Sequence, residues 1–132
     1  MKVIKVDTAK TKDLTDDPLM TGGKVEARFL VGPDVAKELG LGIVSFKAGG
    51  RTKFHTHTSE QLLYIIEGKG IVATEKEEVV VTAGTVVYFP AGENHWHGAT
   101  KNSSFAHITI APPHKTNIES QAESLYLKKQ KG

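Results

Sequence analysis

Short runs of Val, Ile, Leu, Phe and Tyr recur at about 3–6, 25–31, 41–48, 61–67, 70–74, 78–82, 85–89 and 104–110, with GG, EGKG, TAG and PAGEN between them. Runs this short, punctuated by glycine, predict strands, and their close spacing predicts an all-β sandwich or barrel. QLLYIIEG and EVVVTAGTVVYFP are apolar on both parities, the pattern of strands covered on both faces. GPDVAKELG at 32–40 reads as a helical turn or a loop, because Gly, Pro and short length work against a helix. TNIESQAESLYLKKQ at 116–130 predicts a C-terminal helix: Thr116 or Asn117 can cap it, Glu119 falls in the first turn and the lysines in the last. Ile118, Ala122, Leu125 and Leu127 would form its packing stripe. The chain reads as one domain over 1–132, with a barrel core from about 25 to 111 and a helix or tail from about 116.

Composition narrows the partners. At 132 residues the chain can bury one core but not two, and its +2 formal charge is not gathered into a patch outside KKQKG at the end. No nucleic-acid partner is expected. The absence of cysteine excludes disulfides and thiolate sites, so a metal would need N and O ligands. Apolar runs such as VVV and IVSF are too short to cross a bilayer, so no membrane association is expected. MKVIKV lacks the apolar stretch of a signal peptide, which makes the cytoplasm the expected location.

The candidate chemistry lies in six histidines, at 55, 57, 95, 97, 107 and 114. On a strand, His55 and His57 project from one face and can grip one cation. The same spacing also suits two solvent-facing polar residues, so the pair alone leaves both readings open. A second cluster, HWH at 95–97, follows its own Pro-Ala-Gly turn about 40 residues on.

Gly49, His55, Thr56, His57, Gln61 and Gly68 stand at spacings that resemble the first cupin motif; Gly84, Pro90, Ala91, Gly92 and His95 resemble the second. The resemblance spans about 41–111. It implies a small cupin jelly-roll β-barrel, a single domain with a short C-terminal helix, holding one divalent metal per chain. It carries His55, His57 and His95 over as ligands. Counting back from Gly68 places Gln61 where most metal-binding cupins have glutamate, and strand parity turns the neighbouring Glu60 to the opposite face. Ala99 stands where the second motif usually closes with asparagine. HTH, three residues, Gln, then PAGENHWHGA is most similar to small cupins with a three-histidine, one-glutamine site, including manganese-dependent hydroxynitrile lyases and cupins associated with carboxymuconolactone decarboxylases.

A neutral glutamine in place of glutamate leaves such a site at the metal's full +2 charge. That favours Lewis-acid chemistry over oxygen activation. Manganese is favoured by the resemblance, with Fe, Ni, Co and Zn compatible. His107 alternates away from Ala106, Ile108 and Ile110, and its counterpart in the glutamine-type cupins lines the pocket. It is the candidate general base near neutral pH, against a structural or exposed strand histidine. His97 shares parity with His95 and is a candidate neighbour of the ligands. Thr52, three residues before His55, is a candidate for bonding a bound hydroxyl. Trp96, Phe46, Phe54, Leu63 and Ile65 are candidate pocket walls, while Arg51 and Lys53 should point outward and His114 should lie on the surface. A small carbonyl compound or alcohol suits such a site, and a lyase is the expected activity. A dioxygenase and a non-catalytic binding cupin are the alternatives. A homodimer is expected, with KVIKV lending an edge strand.

Overall fold

The computed structural model describes residues 1–120. Apart from a 3-10 turn at Val6–Thr8, its regular elements are strands. They are β1 (Lys12–Asp13), β2 (Met20–Thr21), β3 (Val25–Val31), β4 (Gly40–Phe46), β5 (Arg51–Thr52), β6 (His55–His57), β7 (Gln61–Thr74), β8 (Glu78–Thr82), β9 (Val86–Phe89), β10 (His95–Ala99), β11 (Phe105–Ala111) and β12 (Thr116–Ile118). Among the described residues no helix is long and apolar enough to cross a membrane.

Every pairing is antiparallel, and two sheets share the long strand β7. Its first half pairs with β9 and with β11, from which β4, β3 and β1 continue the first sheet. Its second half pairs with β8 and β10, and β10 carries β5 and β6. The two runs read as separate strands, 61–67 and 70–74, are thus one element. Gly68, at φ +75°, is where it changes sheets: a Cβ there would stand 1.9 Å from the Ser104 carbonyl oxygen, so only glycine fits. The result is a curled all-β half-barrel of jelly-roll type.

The interior is filled by Val25, Phe46, Leu63, Ile65, Val72, Phe89 and Phe105. Each such side chain contributes roughly 1.5–3 kcal/mol when fully buried. A second cluster, Phe54, Ile71, Ala73 and Trp96, packs on the other face of the second sheet.

Several expectations are corrected. Residues 3–6 form no strand: Val3 is 81% exposed and Val6 opens the 3-10 turn. Of the two readings of segment 32–40, the loop holds, up to the start of β4. Apolar residues on both parities do not mean two covered faces here, since Leu62, Tyr64, Val79, Val80, Val86 and Tyr88 are exposed. The helix expected at 116–130 does not start at Thr116, because Thr116–Ile118 is β12, pairing with His57, Thr56 and His55. Cross-strand hydrogen bonds to β6 outweigh the local capping pattern. The rest of that stretch, from 121, lies outside the described residues.

Candidate metal centre

Strand parity explains most of the site. On β6, His55 and His57 point to the interior and Thr56 lies between them, half-buried. A break at Lys53–Phe54 separates β5 from β6. It shifts parity by one residue, so Thr52 and His55, an odd number apart, both face the same cavity. Without that break the hydroxyl and the imidazole would face opposite sides. β10 runs antiparallel to β6 with His95 opposite His55. Their ring centroids are 4.3 Å apart, and His57 stands 4.7 Å from His55 and 5.3 Å from His95. Gln61, the first residue of β7, is buried and lines the cavity, whereas Glu60 is exposed and accepts a hydrogen bond from the Tyr88 hydroxyl.

Hydrogen bonds settle which nitrogens are free. His55 Nδ1 lies 2.8 Å from the Lys53 carbonyl oxygen and His95 Nδ1 lies 2.8 Å from that of Glu93. A carbonyl only accepts, so each Nδ1 carries the proton and each Nε2 presents a lone pair. His57 Nδ1 sits 2.9 Å from Thr116 Oγ1, which allows the same tautomer. His57 Nε2, His95 Nε2 and Gln61 Oε1 are buried without a hydrogen-bond partner. Buried acceptors left orphaned are costly unless a cation meets them, and imidazole nitrogen with an amide oxygen suits a divalent metal.

Burial keeps these rings neutral. It lowers His55 and His95 to about 4, with His95 adding to the effect at His55 and the Glu93 carbonyl opposing it at His95. Burial lowers His57 to about 3, helped by His55 and His114 and opposed by the neighbouring Gln61 side chain. Neutral imidazole is the metal-binding form, so no proton has to be displaced from Nε2 at pH 7.

His97 and His107 make a second unit behind the first. His107 Nε2 lies 3.1 Å from His97 Nδ1, and Thr109 Oγ1 lies 3.0 Å from His107 Nδ1. In the neutral state one proton serves the contact between the two rings. Both are buried and both line the cavity. Burial lowers His107 to about 3, below the near-neutral value expected of a general base, and holds His97 well below the ordinary histidine range. One ring nitrogen each from His55, His95 and His97 lie within 4.8 Å of one another. His97 is therefore nearer the cluster than its reading as a neighbour of the ligands implied, and His57, expected as a ligand, is not among these three.

Other site expectations need correction. Thr52 does line the cavity; its Oγ1 accepts from the His97 backbone N–H at 3.1 Å, tying β5 to β10, and its O–H is left to donate. Trp96 faces away from the cavity into the second cluster, with the Arg51 guanidinium carbon 3.9 Å from its ring centroid. Arg51 is thus buried rather than outward. Phe46, Phe54, Leu63 and Ile65 are core, not walls. The walls come from Leu14, Leu19, Met20, Val31, Leu41 and Val44, which enclose a cavity of about 610 Å³. His114 is exposed but stands edge-on to His57 at 4.5 Å, at the mouth. Nothing local in the sequence marks Thr116 as the partner of His57, 59 residues away. The β2–β4 walls share no motif with the histidines.

Comparison with known proteins adds the relatives. Residues 42–111 match the cupin domain family. An (R)-mandelonitrile lyase of Granulicella tundricola is 39% identical over 79 residues, 59% of this chain and 60% of that protein, so the match spans less than two thirds of the lyase. An uncharacterized protein of Methanocaldococcus jannaschii is 32% identical over 72% of this chain and 74% of its own length. An acireductone dioxygenase of Leptospira biflexa is 44% identical over 33% of this chain and 27% of its own. Among solved structures, the polyketide cyclase RemF of Streptomyces resistomycificus superposes with a TM-score of 0.80 at 21% identity, covering 98% of this chain and 93% of the cyclase. A cupin-like protein of Thermotoga maritima superposes with a TM-score of 0.77 at 23% identity, covering 98% and 96%. At these identities the structural likeness is one of fold.

Proposed function

This chain belongs to the cupin family, and from that premise we propose that it is a metal-dependent enzyme of the lyase type acting on a small carbonyl compound or alcohol. The observation that carries the reading is the set of buried, unpartnered acceptors, His57 Nε2, His95 Nε2 and Gln61 Oε1, beside neutral His55 and the His97–His107 pair. We assign His55, His57, Gln61 and His95 as the holders of a divalent cation, with manganese favoured and Fe, Ni, Co and Zn compatible. Such a cation supplies Lewis acidity toward a hydroxyl or carbonyl oxygen, undiminished by a carboxylate ligand.

The chain's own residues handle the proton. For a cyanohydrin such as the named substrate of the Granulicella relative, cleavage removes the hydroxyl proton and breaks the bond to the nitrile carbon. The electron pair leaves with cyanide, which takes up a proton, and the aldehyde remains. His107 is the assigned base. Its burial makes it a weak acceptor alone, but a proton taken up by either ring of the His97–His107 pair can be shared across their 3.1 Å contact. Thr109 holds the far side of His107, and the apolar walls limit water at the reacting carbon.

The test is release of benzaldehyde from mandelonitrile, and of aldehydes from other cyanohydrins, by manganese-loaded protein. Turnover should fall by roughly 10²–10⁴ in His107→Ala with metal content unchanged. If neither form turns over any cyanohydrin or carbonyl substrate while ligands still bind, a non-catalytic binding role replaces this one. Similarity to the acireductone dioxygenase supports a second reading, and oxygen consumption by the iron- or nickel-loaded protein would favour it. Neutral Gln61 argues against it, since it adds no electron density to the metal.

The open face of the first sheet supports a homodimer. Leu62 pairs with Tyr88 and Tyr64 with Val86, all 40–60% exposed, a contiguous apolar strip of the kind that partners cover. This face, rather than KVIKV, is the better candidate surface. Tyr64→Glu with Val86→Glu should yield monomer by sedimentation, and a wild-type chain that sediments as a monomer removes the reading.

A further inference from the structure

We propose that the cavity takes an amphiphilic substrate, a small uncharged head bearing the reacting hydroxyl or carbonyl joined to an apolar tail of about eight or more carbons. The inference deepens the function above and rests on it for the head alone.

The first observation is size. The cavity measures about 610 Å³, room for roughly twenty non-hydrogen atoms at the ~30 Å³ that a water molecule takes in the liquid. A head that reaches the histidines needs only a few of those atoms, so most of the space is left for something else.

The second is how chemistry is divided within that space. Thr52, His55, His57, Gln61, His97 and His107 supply the polar end from β5, β6, β7, β10 and β11. Across from them, β3, β4 and the segment before β3 supply Leu14, Met20, Val31, Leu41 and Val44. An apolar wall of this extent recognises hydrocarbon, since it can make no directional bond to a polar tail.

The third is the mouth. Phe29 and Leu39 both line it, and each is 62% exposed. Large apolar side chains left open beside an apolar cavity continue its surface outward, where a tail too long for the interior would cover them. Apart from histidines, the ionisable lining residues are Lys12 and Asp17, of opposite sign. A phosphate or polycarboxylate therefore finds no matching charge.

The test is calorimetric titration of the manganese-loaded full chain with 1-hydroxy-2-alkanones of about four to twelve carbons, with metal content measured alongside. Kd should fall about fourfold per added methylene up to about twelve carbons, and chelator-treated protein should keep that slope at weaker overall affinity. Phe29→Ser with Leu39→Ser changes only exposed side chains, so folding should survive. It should weaken the longest ligands at least tenfold and leave the shortest unchanged. Val44→Phe should shorten the length at which the gain stops. A Kd that is flat along the series, binding of no member, or an equal loss for short and long ligands in the rim variant overturns the proposal. Length-dependent binding without turnover of any member would leave this site standing and remove the enzymatic reading. Turnover with a flat Kd would do the reverse.

Discussion

Five buried histidines share one interior and divide into two groups by whether a ring hydrogen-bonds to another ring. In His55, His57 and His95 each Nδ1 meets an oxygen outside the cluster, from Lys53, Thr116 and Glu93. In His97 and His107 the nitrogens meet each other, and Thr109 holds the far end. Residue type, burial and the direction of the pKa shift are the same in both groups. The difference is that the carbonyls beside His55 and His95 pin the proton on Nδ1 and leave Nε2 a fixed lone pair, with the Thr116 hydroxyl allowing the same at His57, whereas a ring-to-ring contact leaves the proton free to change sides. The first suits holding a cation and the second suits moving a proton.

The largest effect that can break this division comes from comparing one histidine of each group on the same strand. His95→Ala should weaken manganese binding more than about a hundredfold, since a structural cation draws several kcal/mol from each ligand. His97→Ala should change it less than about tenfold. Competition with a chelator of known affinity measures both. The close approach of His97 to His55 and His95 makes this a demanding test. If His97→Ala loses metal as completely as His95→Ala, the ligands are His55, His95 and His97, and the division fails.

Acidification probes what the groups share. Their folded-state values lie below the ordinary 6.5, at about 4 for His55 and His95 and about 3 for His57 and His107. Between those values and 6.5 the unfolded chain binds more protons, so acid favours unfolding. Stability of the metal-free chain should be full above about pH 6.5 and fall as pH drops toward 4, by up to about 1.4 kcal/mol per pH unit for each such group. Denaturant unfolding at pH 7, 6 and 5 reads the slope. His107→Gln should reduce it, and an unchanged slope would mean that the inner pair is hydrated in solution.

The ends of this division differ in how far the sequence discloses them. The inward placement of His55, His57, Gln61 and His95 is legible because strand parity and the spacing to Gly68 are local properties, and Glu60 turns outward as parity requires. The inward direction of His107 is legible by the same alternation. Its partnership with His97 is not, because it depends on β10 and β11 facing each other across the interior. Trp96 misleads for a related reason: it lies between two inward histidines, so alternation itself sends it to the other face. The apolar walls belong to β2–β4 and the segments around them, far from either motif. β12 is missed because TNIES carries a sound helix-capping pattern that pairing with β6 overrides. Periodicity reports the faces of a strand, but which strands meet is a property of the whole chain.

The smallest effects come from the two hydroxyls, and they sharpen the division furthest. Thr116→Val and Thr109→Val each remove one hydroxyl and keep the shape, one from each group. Without Thr116 the His57 Nδ1 loses its hydroxyl partner and the ring is less well oriented, so manganese affinity should fall by up to about tenfold, since Thr116 is exposed and water can take its place. Turnover at saturating metal should change little. Without Thr109 the metal has lost nothing. What changes is His107, whose Nδ1 loses its hydroxyl partner and keeps only the backbone carbonyls of its own residue and Ile108 beside the ring. Losing one hydrogen bond there costs up to about 1–3 kcal/mol, enough to bias the proton toward Nε2 and the bond to His97. Turnover should then fall by up to about tenfold with metal affinity intact, and the ring-nitrogen NMR shifts of His107 should exchange their protonated and unprotonated character. Loss of metal in Thr109→Val, or an unaltered tautomer together with unaltered turnover, would mean that the inner pair does not govern the proton.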